Sequence, residues 1–202
     1  MKKLGLVLAF VLVLAVTGFA QENGLLIDDF EGNISGGADG TVDFGAGNGS
    51  GLKVSAAQDI KYLGKQSLKA EYDAIAGGYM YIAKGSGLDA KKADWLIAGD
   101  KIDWKKYNAI AIYVYGTDSK TKIALDLKDN GNELWRYIFE DDFKGWKQVV
   151  CPFASFMARD DWQPDNADKN ITMDFPIKSY QFEPLPVAKG ILYFDSVELV
   201  NK

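Results

Sequence analysis

The sequence predicts an all-β fold in which two sheets pack face to face as a β-sandwich. Short segments alternate apolar and polar residues with a period of two, turn residues separate these segments, and no long segment has a helical period. Many short strands at this spacing are typical of sandwiches and barrels. The predicted strands are SLKAEY (67–72), AIAIYVY (109–115), KIALDLK (122–128), LWRYIF (134–139), KQVVCPF (147–153) and GILYFDSVELV (190–200).

The first 20 residues have the composition of a secretory signal peptide. Two lysines precede an apolar run from Leu4 to Val16, and the segment ends in small residues at Ala20. The apolar run is shorter than a typical membrane span. We therefore expect a single domain over residues 21–202 that is secreted or periplasmic, with no membrane span after the signal is cleaved.

The glycine-rich segment 32–51, GNISGGADGTVDFGAGNGSG, predicts an extended surface loop. It is not a phosphate-binding loop, because no Lys-Ser/Thr follows GAGNGSG. The later turn KDNGN lies between two predicted strands and is typical of a hairpin loop that contains Asn-Gly.

The alternation within the strands assigns side chains to two faces. The set predicted to pack between the sheets is aliphatic: Ile110, Ile112, Val114, Ile123, Leu125 and Leu127. The opposite faces carry Tyr113, Tyr115 and Asp126, and Arg136 joins them if LWRYIF packs its aromatic rings inward. An ordinary solvated sheet face is one interpretation of this set. A sugar-binding face is another, because the C–H faces of a sugar stack on rings and its hydroxyls bind polar groups.

The composition argues against several classes of function. Residues 1–20 hold two of the 23 basic residues and no acidic ones, so the remaining chain has 21 basic and 28 acidic residues and a net charge of −7. This balance argues against nucleic acid and anionic membranes as partners. The absence of histidine argues against the usual nucleophile triads and catalytic zinc sites, but not against carboxylate-pair glycosidases or calcium sites. The lone Cys151 is expected to be a buried thiol.

The stretch FMARDDWQPDN (156–166) places Trp162 in the most polar part of a loop. Either the fold covers this ring as a structural plug, or a ligand covers it. The stretches LIDDFEG, GKQSLKAEYDAIAGGYMY, GWKQVVCPFASFMARDDWQPDN and YFDSVELV bear on this choice. In this order, from Leu26 to the end, they resemble the family 11 carbohydrate-binding modules. The resemblance implies a non-catalytic β-jelly roll that binds β-glucans in a concave cleft.

The resemblance also implies which residues contact the sugar. Trp162 matches a sugar-contacting loop tyrosine of the family, Arg159 and Asp161 match its neighbours, and Tyr79 matches a tyrosine of the second region. Gln163 is available for further hydroxyl contacts. Together with the strand faces, the predicted sugar-binding residues are Tyr79, Tyr113, Tyr115, Asp126, Arg136, Arg159, Asp161 and Trp162.

The chain departs from the family pattern at two places. It has QFEP (181–184) where the family has an aromatic residue, and it has Tyr113 and Tyr115 where the family has polar residues. The cleft is therefore expected to have a different lining, and the identity of the glucan does not follow from the resemblance.

Acidic residues at both ends of the domain predict a metal site. Asp29 and Glu31 share strand parity in IDDFEG, and Asp195 lies in the closing strand, which neighbours the first strand in this kind of jelly roll. The resemblance implies a structural calcium here, and Ca²⁺ binds carboxylate and carbonyl oxygens. We expect Asp29, Glu31 and Asp195 to bind it, with Asp28 able to exchange roles with Asp29. An acidic edge that discourages strand pairing is the alternative.

Two other functions stay open from the sequence. A glycosidase needs only two carboxylates at set separations, and the candidates are Asp126, Glu133, Asp141, Asp142, Asp160 and Asp161. A structural subunit of an extracellular or periplasmic assembly would instead use exposed aromatic and acidic residues to contact protein partners.

Overall fold

The computed structural model describes residues 24–202, and the predicted signal peptide lies outside these residues. The described part folds into two six-stranded sheets, which confirms the all-β prediction. Its strands are β1 (Leu25–Asp28), β2 (Asp43–Gly47), β3 (Gly51–Ala57), β4 (Ser67–Ala74), β5 (Tyr79–Gly85), β6 (Ala109–Thr117), β7 (Lys122–Lys128), β8 (Leu134–Glu140), β9 (Lys144–Pro152), β10 (Met157–Ala158), β11 (Ser179–Pro184) and β12 (Ala188–Val200). Short 3₁₀ helices cover Gly99–Lys101, Trp104–Lys106 and Phe153–Ser155. No helix within residues 24–202 is long and apolar enough to cross a membrane.

The two sheets differ in strand order. Sheet I has the order β3-β4-β12-β6-β9, with β1 also paired to β12, and sheet II has the order β10-β8-β7-β11-β5-β2. The first and last strands are therefore neighbours, with Leu25 opposite Leu199. The pairs within both sheets are antiparallel, so side chains on one face of a sheet line up in rows across the strands.

The hydrophobic core lies between the inner faces of the two sheets. The six aliphatic residues predicted to face inward are all buried: Ile110, Ile112, Val114, Ile123, Leu125 and Leu127. Phe182 of sheet II stacks on Phe194 of sheet I with ring centroids 4.4 Å apart. Cys151 is also buried, and burial raises the pKa of its thiol to about 12, so the thiol stays protonated and serves packing as predicted.

The predicted strands coincide with β4, β6, β7, β8, β9 and β12, but the glycine-rich segment is only partly a loop. It contains β2, in which Phe44 and Ala46 pack against the core. Gly47 lies opposite Tyr79 of β5, and a Cβ at Gly47 would lie 2.5 Å from the tyrosine ring. Glycine is required at position 47 because the Tyr79 ring crosses over β2. Since β2 is rich in glycine, its sequence does not show the usual strand pattern, and the segment was predicted as a loop.

Candidate functional site

A cleft of about 730 Å³ lies on the outer face of sheet II. The loop after β10 lines one side, β5 and its flanking loops line the other, and β7 and β11 contribute the floor. The lining residues are Asp43, Gly78, Tyr79, Met80, Tyr81, Gly87, Leu88, Asp89, Lys128, Arg159, Asp161, Trp162, Gln181 and Glu183. Four residues that the sequence predicted as one site therefore lie in the same cleft: Tyr79, Arg159, Asp161 and Trp162.

Trp162 presents an open ring at the cleft. Its side chain is 58% exposed, so it does not act as a plug over the sheet edge. The guanidinium carbon of Arg159 lies 5.9 Å from the ring centroid, within cation–π range. Arg159 also donates to both oxygens of Asp161, from Nε to Oδ1 at 2.9 Å and from Nη2 to Oδ2 at 2.7 Å. The loop thus places an aromatic surface beside a fixed, planar ion pair.

Contacts with β8 hold this loop in place. The Oε1 atom of Gln163 accepts a hydrogen bond from the Leu134 amide at 2.8 Å, and its Nε2 donates to the Leu134 carbonyl at 2.9 Å. The same Nε2 donates to the Arg159 carbonyl at 3.0 Å, and the Arg159 amide donates to the Leu134 carbonyl at 2.9 Å. Because these bonds use both N–H donors of its amide, Gln163 fixes the loop and does not offer its amide to a sugar, contrary to the expectation from sequence.

Asp126 is buried beneath the cleft floor, is 0% exposed and does not line the cleft. Its carboxylate accepts hydrogen bonds from Arg136 at 2.7 and 2.8 Å, from Nη1 of Arg159 at 2.9 Å and from Gln181 at 3.0 Å. Arg136 also pairs with Glu183. Because the Asp126 carboxylate is fully buried and already accepts four hydrogen bonds, it positions the two arginines and is not exposed to a sugar. This finding corrects the prediction of a direct sugar contact, and Arg136 likewise lies outside the cleft lining.

Two tyrosines of β5 form the opposite wall. Tyr79 is 50% exposed, and Tyr81 follows it on the same face of the strand, with Met80 buried between them. The hydroxyl of Tyr81 donates to Oδ1 of Asp43 at 3.4 Å, and Oδ2 of Asp43 accepts the Asp89 amide at 2.9 Å. The cleft therefore has aromatic rings on two sides and hydrogen-bonding groups between them.

The carboxylates of the cleft differ in their ionisation. The hydrogen bonds from Arg159 lower the pKa of Asp161 to about 2, so this carboxylate stays charged over a wide pH range. Burial raises the pKa of Glu183 and outweighs the opposing effect of the Arg136 and Arg159 charges. At neutral pH the Trp162 side of the cleft thus keeps a permanent ion pair, while Glu183 takes up a proton more readily than an ordinary glutamate does.

The chain matches a known protein family over most of its length. Residues 16–202 match the model of a carbohydrate binding domain, family 11. The chain belongs to the family 11 carbohydrate-binding domains. Exposed rings beside polar groups in one cleft are what such a domain requires, because sugar C–H faces stack on rings while sugar hydroxyls need polar partners.

This family 11 domain is similar to part of an endoglucanase and to solved family 11 modules. It is 27% identical over 181 residues to endoglucanase H of Acetivibrio thermocellus, covering 87% of this chain but only 18% of that protein. It resembles the solved family 11 module of a cellulosomal cellulase of Clostridium thermocellum at 22% identity and a TM-score of 0.67, over 90% of this chain and 96% of that one. A C. thermocellum family 11 module in complex with a β-1,3-1,4-mixed-linked tetrasaccharide matches at 21% identity and a TM-score of 0.66, over 89% and 96% of the two chains. These likenesses confirm the β-sandwich.

Two residues predicted for the binding face of the family 11 domain lie on the other side of the molecule. Tyr113 and Tyr115 belong to β6 in sheet I, whereas Asp126 and Arg136 belong to β7 and β8 in sheet II. The alternation in sequence correctly placed both tyrosines on an outer face. It could not show which sheet carries each strand, so the prediction of one shared face is wrong.

The predicted calcium ligands do not form one group. Within residues 24–202, no three acidic, histidine or cysteine side chains lie close enough together to hold a metal ion. Asp195 instead accepts two backbone amides of segment 62–66, at 2.8 and 3.3 Å, and Glu31 accepts two others, at 2.7 and 3.3 Å. Asp29 accepts the Glu31 amide at 3.0 Å. Through these bonds Glu31 and Asp195 hold the two ends of one loop segment, and calcium binding by the three carboxylates stays a prediction.

Asp28 has a structural role that keeps it from replacing Asp29. It is buried, its Oδ2 accepts the Tyr180 hydroxyl at 2.9 Å, and it forms an ion pair with Lys84 at 2.8 Å. Burial raises the pKa of Asp28 even though the Lys84 charge opposes the change. Its oxygens point to the core partners and away from the outer surface.

Four further residues line the cleft without having been predicted from the sequence: Asp43, Tyr81, Gln181 and Glu183. Tyr81 follows Tyr79 with a period of two in GYMY, so strand alternation was a usable signal. Gln181 and Glu183 alternate in the same way around Phe182 in QFEP. Asp43 had no such signal, because it lies at the start of the strand that the glycines conceal.

Proposed function

We propose that this family 11 domain binds a β-glucan in the sheet II cleft without cleaving it. The exposed Trp162 ring beside the Arg159–Asp161 pair carries the proposal. A pyranose covers the ring with its C–H face, and the planar guanidinium and carboxylate bind its hydroxyls. The mixed-linked tetrasaccharide in the C. thermocellum structure and the match to part of an endoglucanase support a β-glucan as the ligand class.

The state of two cleft carboxylates, Glu183 and Asp161, favours binding over hydrolysis. A glycosidase needs one carboxyl with a raised pKa as acid and a second, free carboxylate as base or nucleophile. Glu183 has a raised pKa but pairs with Arg136, and both oxygens of Asp161 are bound by Arg159. Neither group is presented to a bound sugar as a free acid or nucleophile.

Export of the domain is part of the proposal. The lysine-led apolar segment of residues 1–20 supports secretion, which would bring the domain to polysaccharides outside the cytoplasm. Its partners are then polysaccharides or oligosaccharides. A sugar-free role in an extracellular assembly is the alternative, and it predicts self-association with no glycan binding.

Calorimetric titration with a β-1,3-1,4-mixed-linked tetrasaccharide tests the cleft. Trp162→Ala is expected to weaken binding by about tenfold or more, because it removes both the stacking contact and the apolar area that the sugar covers. The melting temperature should change little, since the ring is exposed in the free protein.

Two variants act as controls for this experiment. Trp162→Phe keeps a ring and should retain part of the affinity. Ile171→Ala removes a still more exposed apolar side chain, 77% exposed, that does not line the cleft. If Trp162→Ala keeps its affinity but has a lower melting temperature, Trp162 supports the fold and does not contact the sugar. Failure of the wild type to bind any soluble β-glucan would contradict the proposal.

A further inference from the structure

A second group of aromatic residues lies on the outer face of sheet I, on the side of the molecule opposite the cleft. We call it the aromatic strip, and its members are Tyr62, Tyr113, Tyr115, Trp146 and Tyr193. None of the five is buried, and Tyr62 is 39% exposed. The proposed function does not use this surface.

Strand register sets the spacing of the strip. Trp146 of β9 lies opposite Tyr115 of β6, which lies opposite Tyr193 of β12. The ring centroids of neighbours are 5.5 and 5.8 Å apart, and the ring planes are nearly perpendicular, at 76° and 84°. Tyr115 thus stands on edge between the two others, which belong to strands two spacings, or roughly 9.5 Å, apart. This places two rings at separate points along one line across the sheet.

The loop that carries Tyr62 is fixed to the same face. The Tyr62 ring stacks on Tyr113 with centroids 3.6 Å apart and an interplanar angle of 14°, and it lies 6.0 Å from Trp146. The buried carboxylate of Asp195 accepts the Tyr62 amide at 2.8 Å from beneath. These contacts fix the position of the Tyr62 ring, so the aromatic strip is preorganised before a ligand binds.

The charges beside the strip indicate an uncharged ligand. Glu71 pairs with Lys69 at 3.1 Å and with Lys53 at 3.5 Å, and Lys69 lies directly opposite Tyr193. The Gln148 amide donates to Glu198 at 3.2 Å on the other flank. Two lysines flank Glu71, and Glu198 contacts a neutral amide, so the surface mixes both signs of charge and offers no single sign to an ionic partner. Partly exposed aromatic rings suit a neutral, polyhydroxylated chain instead.

We propose that the aromatic strip is a second binding face for a neutral polysaccharide. A domain with this face engages one chain in the sheet II cleft and another on sheet I. The inference goes beyond the proposed function, because a different sheet and different residues carry it. A second copy of this chain is the competing occupant of the strip.

Affinity electrophoresis through soluble mixed-linkage β-glucan tests both faces separately. The proteins are the wild type, Trp162→Ala in the cleft, Tyr193→Ala in the strip and the double variant. We expect each single variant to bind about fivefold to tenfold more weakly than the wild type, and the double variant to migrate as it does without glucan. Tyr193→Phe keeps the ring and should stay close to the wild type.

The outcomes of the two proposals are distinguishable. If Tyr193→Ala matches the wild type and the double variant matches Trp162→Ala, the strip does not bind the polysaccharide. If Trp162→Ala matches the wild type while Tyr193→Ala is weakened, the cleft proposal fails and the strip proposal stands.

Folding and self-association are checked in the same set of proteins. Trp146→Ala removes a ring at the other end of the strip, so it gives a second reading if Tyr193→Ala does not fold. Sedimentation velocity without glucan tests the competing occupant. A wild-type dimer that Tyr193→Ala and Trp146→Ala both abolish would assign the strip to self-association and overturn the proposal.

Discussion

At Asp126 a buried carboxylate sets the geometry of exposed side chains at the cleft rim. It bonds to Arg136 and Arg159, and Arg159 in turn bonds to Asp161 and lies near the Trp162 ring. The contacts form one chain of charged groups from the buried carboxylate on the outer face of sheet II to the rim of the cleft. A substitution at Asp126 should therefore change the positions of Arg159 and of the Trp162 ring.

Asp126→Ala is expected to lower the free energy of unfolding by about 3 kcal/mol or more, because it leaves two arginines without their shared buried partner. It should also weaken sugar binding and change the emission of Trp162, since Arg159 loses an anchor beneath the ring. Chemical denaturation, calorimetric titration and fluorescence measure the three effects, and the spectrum of Trp162→Ala identifies the contribution of this tryptophan.

Asp161→Asn is the matched control for Asp126→Ala. The Asp161 side chain is 55% exposed, so its substitution should reduce affinity with little loss of stability. A loss of stability in Asp126→Ala without any change in affinity or emission would show that Asp126 supports only the fold.

Glu183 predicts a specific pH dependence of stability. Because its pKa is raised above 4.5 in the folded state, the folded protein binds the proton before the unfolded chain does as the pH falls. Stability from this group therefore increases as the pH falls from neutrality towards 4.5. The pKa of Asp161 is lowered from 3.8 to about 2, so its stabilising effect is present above 3.8 and is lost only as the pH falls towards 2.

Glu183→Gln should remove the first of these effects. Urea denaturation at neutral pH and near pH 5 is expected to show that the wild type gains stability relative to Glu183→Gln at the lower pH. Equal differences between the two proteins at both pH values would show that Glu183 does not titrate in this range.

At the scale of elements, acidic residues near the first strand and in the last strand hold one loop. Glu31 follows β1, Asp195 lies in β12, and their carboxylates accept amides at the two ends of segment 62–66. Asp195→Asn is expected to lower the free energy of unfolding by about 1–3 kcal/mol, since the partly buried amides of Tyr62 and Leu63 lose a charged acceptor. Thermal denaturation measures the loss, and Glu31→Gln, at a more exposed position, should cost less.

Calcium binding at these strands stays a prediction from the sequence. An ion that binds only the folded state, at millimolar Ca²⁺ and a micromolar site, would add about 4 kcal/mol of stability. Melting curves in calcium and in excess EDTA test this in the wild type and in Asp195→Asn. Coincident curves for the wild type would show that the amides alone satisfy these carboxylates, while a calcium-dependent rise lost in Asp195→Asn would support a metal.

At the scale of the whole molecule, the sequence was sufficient for what depends on local pattern. Strand alternation placed Ile112 and Leu125 in the core, and the composition of residues 156–166 identified the Trp162 loop. Both inferences rest on neighbours in the chain. The strand parity of Tyr113 and Asp126 was equally local and equally correct, since each points away from the side chains that fill the sandwich.

The sequence was insufficient wherever the answer depended on sheet membership or on distant partners. Tyr113 and Asp126 are only 13 positions apart, yet the connection after β6 crosses to the other sheet. Gln163 and Asp126 have the chemistry of ligand-binding residues, but β8 and two arginines already occupy them. The sequence shows which groups a side chain could bind, but only the fold shows which of its hydrogen-bonding groups are already used within the protein.

The pairing of the first strand with the last has a mechanical consequence. Leu25 lies opposite Leu199 in an antiparallel pair, so the two ends of the described domain emerge side by side from one end of the sandwich. A force that separates these two ends loads the β1–β12 hydrogen bonds one after another, as in a zipper, and not all at once. Such a force would peel β1 away first, whereas a pull between one end and a glucan held in the cleft would act across the body of the sandwich.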